Sequence, residues 1–251
     1  METEFTSGRE TLAAYHIDPP VTDRRPPTLV ICHGYPSGVL GSAATTGRSY
    51  PALADRVANE GWRAITFTFR GCGASSGDFG LGGWLDDVLA VADQARSLAP
   101  TRGVWLAGFG TGGALCVAAA ARRPEIRGVA ALGAPADFSD WANHPRRLLR
   151  HARDVGAIRD PQFPANLDSW TRQLRDVRPV DDAAKLAPRS FLVVHGSDDE
   201  SVPSFDARVL SDAHGSGELR IVPGAGHDLR HDPRSVAILI GWLDRERHGP
   251  A

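Results

Sequence analysis

Four stretches of this chain carry residue types able to do chemistry. His33-Gly34-Tyr35 comes early, Gly108-Phe109-Gly110-Thr111-Gly112-Gly113 near the middle, and Asp199 and His227 late. A histidine can move a proton near neutral pH, and a carboxylate can fix its ring tautomer. The glycine-rich stretch fits two patterns. One is G-x-S-x-G, the sharp strand-to-helix turn that presents a nucleophile, here with Gly110 where the serine would stand. The other is the dinucleotide fingerprint G-x-G-x-x-G. That fingerprint expects an acidic residue about 20 positions on. The next strand reads Gly128-Val129-Ala130-Ala131-Leu132-Gly133 instead, and at least two strands precede the motif. Both features weigh against a nucleotide site.

Residues this far apart need a scaffold that gathers them. Phe5 to Ile17, broken by Ser7-Gly8-Arg9-Glu10, reads as a β-hairpin, and Asp18 to Pro27 as a proline-rich connection. Thr28 to Cys32 is a short apolar run of the buried-strand type. Tyr50 to Glu60 has helical spacing, and Trp62 to Phe69 alternates as a strand. Trp84 to Leu98 reads as a helix, Val104 to Ala107 as a strand, Thr111 to Arg123 as an Ala-rich helix and Gly128 to Leu132 as a strand. From residue 137 to 187 the repeat breaks into a helical, arginine- and proline-rich insertion. It then resumes with a strand at Ser190 to His195, a helix at Phe205 to Ala213, a strand at Leu219 to Val222 and a closing helix at Val236 to Arg245. Such alternation implies an α/β fold, a mostly parallel sheet covered by helices on both faces. In such sheets ligands bind beyond the carboxyl ends of the strands, where all four stretches fall.

In order and spacing the chain resembles the α/β-hydrolase superfamily across nearly its whole length. Phe69-Arg70-Gly71-Cys72-Gly73-Ala74-Ser75-Ser76-Gly77 is similar to its R-G-x-G-x-S stretch. His195-Gly196-Ser197-Asp198-Asp199-Glu200-Ser201-Val202-Pro203 is similar to the stretch that carries the acid, and Gly224-Ala225-Gly226-His227 to the one that carries the base. The resemblance implies one α/β-hydrolase domain over residues 1–251, with the helical insertion at 137–187 as a short cap. It also implies that Asp199 orients His227 as general base, and that the backbone N–H groups of Tyr35 and Thr111 form an oxyanion hole. His33 is then a loop-orienting residue, and Ser75 and Ser76 are loop-forming.

Gly110 departs from the family pattern. Hydrogen cannot attack a carbonyl, so covalent catalysis from this position is absent. Glycine does relieve the strained backbone of the turn. Thr111, Ser37 and Ser139 are conceivable replacement nucleophiles. Two functions follow: an esterase-like hydrolase of a small ester-like or other carbonyl substrate, or an inactive ligand-binding or sensor protein. Lyase or isomerase chemistry is also open to the Asp199–His227 dyad.

The bulk properties fit these readings. The 251 residues are 42% hydrophobic with a net charge of −2, which leaves no electrostatic footprint for nucleic acid. The bases are nearly all arginine, Lys185 being the single lysine. Arg146, Arg147, Arg150 and Arg153 recur at roughly helical spacing, as on a solvated helix face; binding an acidic substrate is the alternative. Cys32, Cys72 and Cys116 are expected to be buried, reduced thiols. With no signal-like or membrane-spanning apolar run, the expected location is the cytoplasm. The expected partner is a small-molecule substrate or ligand. No cofactor, metal, nucleic acid or membrane is called for, and the oligomeric state is open.

Overall fold

A computed structural model describes residues 1–20, 24–36 and 38–249. Its centre is an eight-stranded sheet in the order β1-β2-β4-β3-β5-β6-β7-β8. β1 (Glu2–Ser7) and β2 (Glu10–Ile17) form the expected antiparallel hairpin, and β2 pairs antiparallel with β4 (Arg63–Phe67). β3 (Thr28–Cys32), β5 (Val104–Phe109), β6 (Ile126–Leu132), β7 (Ser190–Gly196) and β8 (Glu218–Val222) complete it, every pairing from β4 onward being parallel.

The central strands are buried on both faces because their alternate side chains enter different cores. Leu29 and Ile31 join the core beneath α1 (Tyr50–Asn59) and α9 (Pro233–His248). Val30 and Cys32 join the opposite one, beneath α2 (Leu81–Leu98), α3 (Thr111–Arg122) and α8 (Ser204–His214). Cys32, Cys72 and Cys116 are all buried, with no disulfide between them. Among the described residues no helix is long and apolar enough to cross a membrane.

Between β6 and β7 lie α4 (Ser139–Asn143), α5 (Pro145–Asp154), α6 (Leu167–Asp176) and α7 (Pro179–Ala183). They dock through aromatic rings. Trp141 packs 5.1 Å from Tyr35, and Trp170 Nε1 donates to the Phe79 carbonyl at 3.1 Å. Arg146, Arg147, Arg150 and Arg153 lie exposed on α5, as on a solvated face.

Two helices begin earlier than the apolar spacing suggests. α9 starts at Pro233, with Asp232 accepting from the N–H groups of Arg234 and Ser235. An Asp-Pro pair is a helix-start signal in its own right. α2 starts at Leu81, ahead of a glycine pair; Gly82 N–H is met by Gln173 Oε1 of α6, a long-range contact with no local sequence signature.

The strand order also says where a site can form. After β3 the chain passes to β4 on one side and then crosses to β5 on the other. The carboxyl ends of β3 and β5 therefore flank a topological switch point, where such sheets open a crevice.

Candidate active site

Gly110 follows β5 and caps α3 with φ 52° and ψ −125°, a left-handed conformation that side chains rarely adopt. Its N–H donates to Leu132 O at 2.8 Å, and its carbonyl accepts from Ala114 at 3.2 Å. Gly112 is needed for a different reason. A Cβ there would stand 2.2 Å from the His33 carbonyl, so only glycine lets α3 lie this close to the end of β3. The result is a sharp strand-to-helix turn that presents no side chain at position 110.

The loops after β7 and β8 are sewn together. Asp198 N–H donates to Ala225 O at 2.9 Å, and Gly224 N–H to Ser197 Oγ at 2.7 Å. This brings Asp199 Oδ2 to 2.8 Å from His227 Nδ1. The acid has further donors. The N–H groups of Ser201 and Val202 reach Oδ1 at 2.8 and 2.9 Å, and His195 Nε2 stands 3.2 Å from Oδ2. The side chain of Asp199 is fully enclosed, whereas that of His227 is 40% exposed. Burial alone would raise the Asp199 pKa, but the hydrogen bonds from His195, His227 and Val202 together hold it well below the usual carboxylate range. Hydrogen bonding to Asp199 in turn raises the His227 pKa above 6.5, against the opposing effect of burial.

The other face of the imidazole looks at Gly110. A Cβ built there would be 3.3 Å from His227 Nε2. Tyr35 follows β3, and Thr111 is the first residue of α3. As first residue of its helix, Thr111 has an N–H with no intrahelical acceptor.

His33 orients the loop that carries Tyr35. Its Nδ1–H donates to Gly34 O at 2.6 Å, and its Nε2 accepts from Phe69 N–H at 3.0 Å. Burial pushes its pKa down to about 4, so it stays neutral. The loop after β4 is anchored by Arg70, whose Nη2 lies 2.6 Å from Oδ1 of the fully buried Asp87. Ser75 Oγ donates to Thr68 O and accepts from Ala13 N–H, and Ser76 Oγ accepts from Thr11 N–H. Both serines thus hold the loop.

A pocket of about 450 Å³ opens over Gly110 and His227. Gly34, Tyr35, Tyr50, Ser201, Asp228 and Arg230 share its lining. Thr111 and Ser139 are not among the lining residues, and Ser37 lies outside the described residues. Among the described residues no group of three or more His, Cys, Asp or Glu side chains is placed to hold a metal ion.

Sequence reasoning did not assign His195, Tyr50, Arg230 or Ser201 a place in this site. His195 opens the acid-bearing stretch, four positions before Asp199. The bend after β7 that makes it a further donor to the carboxylate is visible only in three dimensions.

Known proteins bear on this arrangement. Residues 27–179 match the family model described as the alpha/beta hydrolase fold. Est1E from Butyrivibrio proteoclasticus, solved with ferulic acid bound, superposes with a TM-score of 0.76 at 24% identity, covering 98% of both chains. GrgF from Penicillium sp. sh18, an alpha/beta hydrolase, gives 0.75 at 18% identity over 98% of each chain. The Pyrococcus furiosus esterase Pf2001 gives 0.70 at 17% identity, over 98% of this chain and 91% of that one. At these identities the likeness is one of fold. A curated relative, called a nucleotide-binding protein, from Leptothrix cholodnii is 33% identical over 110 residues, 42% of this chain. The match spans about a third (34%) of that protein's length. The family match covers more than half of the chain, and the sheet, the switch point and the elbow agree with it: this protein belongs to the alpha/beta hydrolase fold family.

Proposed function

We propose that this protein hydrolyses a small ester-like or other carbonyl substrate without a covalent intermediate. His227, oriented by Asp199, takes a proton from a water placed beside Gly110. The resulting hydroxide adds to the carbonyl carbon, and the N–H groups of Tyr35 and Thr111 hold the oxyanion. Collapse expels the leaving group, which receives the proton back from His227. The observation that carries this reading is the 2.8 Å Asp199–His227 pair, buried on the acid side, with Nε2 turned to the elbow. The likeness in fold to a Pyrococcus furiosus esterase lends support. The helices between β6 and β7 act as a short cap, docked through Trp141 and Trp170.

Gly110 itself favours a second reading, a ligand-binding or sensor protein that has given up turnover. One assay separates the two: wild type, His227→Ala and Gly110→Ser on short and medium p-nitrophenyl esters. Wild-type turnover that His227→Ala abolishes supports water-mediated hydrolysis. Turnover by Gly110→Ser alone supports the second reading. Wild-type turnover untouched by His227→Ala overturns the role given to the dyad.

A further inference from the structure

The pocket over Gly110 contains one cation without a carboxylate partner. Arg230 follows His227 by three residues and lines the same cavity. Its guanidinium lies over the Tyr50 ring, 4.8 Å from the centroid. Nη1 donates to Ser49 Oγ and Nη2 to His231 Nε2. Those bonds use two of the five N–H donors of an arginine. Among the ion pairs of the described residues none involves Arg230. The nearby acid, Asp228, stands 3.6 Å from His231 instead, with its side chain 72% exposed.

A guanidinium held by a ring, a hydroxyl and an imidazole, with N–H donors to spare on the wall of a concave site, is arranged to receive a planar anion. We propose that Arg230 recognises a carboxylate on the ligand, so that the protein takes carbonyl compounds that also carry a carboxylate group. The acid group sits against Arg230 and Tyr50, and the carbonyl reaches Gly110 and His227 at the other end. A singly charged carboxylate suits the site better than a dianionic phosphate. Arg230 supplies one positive charge, and Asp228, on the same lining, repels a second negative one. Arg70, by contrast, is paired with the buried Asp87 and holds a loop. Arg230 is held at the wall of the pocket over Gly110 by the Tyr50 ring and Ser49.

This inference rests on the pocket being the ligand site, and binding tests it independently of turnover. Calorimetric titrations would use benzoate and butyrate, their uncharged amides benzamide and butyramide, and inorganic phosphate. The proteins would be wild type, Arg230→Gln and Asp228→Asn. We expect the carboxylates to bind wild type more tightly than the amides or phosphate. Arg230→Gln should weaken them by roughly tenfold to a hundredfold, the range of a charge-assisted hydrogen bond, and leave the amides unchanged. Asp228→Asn, at an exposed position, should tighten them about twofold to fivefold, a result that does not depend on Arg230→Gln folding. Carboxylates that bind no better than amides, or equally well in all three proteins, would overturn the proposal. So would tighter binding of phosphate. Arg230-dependent carboxylate binding by a protein without esterase activity would uphold it and remove the hydrolytic reading alone. Ester turnover with no such binding would do the reverse.

Discussion

His227 Nε2 lies 3.3 Å from the point at which a Cβ on Gly110 would stand. The imidazole is therefore aimed at the turn although the turn offers it no side-chain atom. The backbone that aims them at each other is set by main-chain bonds of Gly110 and by the close approach at Gly112, neither of which needs a hydroxyl.

Gly110→Ala tests that relationship. Alanine must adopt φ near 52° and push against an imidazole that is 3.3 Å away. The expected loss of stability is about 1–3 kcal/mol, read from urea unfolding. The methyl group also fills the place assigned to water, so turnover should fall to the level of His227→Ala. Full activity in a folded Gly110→Ala protein would show that the water enters elsewhere.

Asp199→Asn should change the pH profile. Asp199 raises the His227 pKa above 6.5, and the base works only when neutral, so the acidic limb of kcat/KM should lie above 6.5 in the wild type. Replacing the carboxylate should move that limb to lower pH. It should also lower kcat by a factor on the order of 10³–10⁴, since the amide no longer fixes the tautomer or stabilises the imidazolium. An unmoved limb would show that another group is titrating.

Stability should fall as the solution is acidified from pH 6.5 toward 4. His33 titrates near 4 when folded and near 6.5 when unfolded, so the unfolded chain binds the extra proton in that window. The shift corresponds to about 3 kcal/mol. Burial lowers the pKa values of His16 and His214 as well, with the same sign. The raised pKa of His227 acts only above 6.5, where its contribution fades as pH rises through the folded value. Urea midpoints between pH 4 and 6.5 should flatten in His33→Gln; an unchanged slope would assign the effect to other groups.

Asp87→Asn should destabilise the loop after β4. The Asp87 side chain is wholly buried and that of Arg70 is 18% exposed, so removing the acid leaves a largely enclosed guanidinium uncompensated. The expected cost is about 3 kcal/mol in urea unfolding. A loss below about 1 kcal/mol would mean that Arg70 swings into water.

Much of the scaffold was legible in the sequence because it rests on local signals. Thr28–Cys32 is a short apolar run of the buried-strand type, Ser190 to His195 reads as a strand, and Gly61 and Pro124 mark where helices stop. The Asp199–His227 pair was named from motif order, and the structure brings the two residues within hydrogen-bond distance. The second histidine at the acid and the cation at the pocket wall were not legible. His195 and Arg230 matter through which atoms face them across loops, and neither periodicity nor spacing encodes that. The loop-anchoring role of Asp87 was hidden for the same reason: within α2 its side chain turns inward to Arg70.

The turn at Gly110 also bears on how such a protein can change over generations. Its left-handed geometry suits glycine best, yet it is the same geometry in which a serine would meet His227. Some glycine and serine codons differ by a single base. Shape and reactivity at this position are thus separable by one heritable step, at a stability cost of only about 1–3 kcal/mol for the strained serine. A lineage with this elbow can gain or surrender a nucleophile while the architecture around it stays the same.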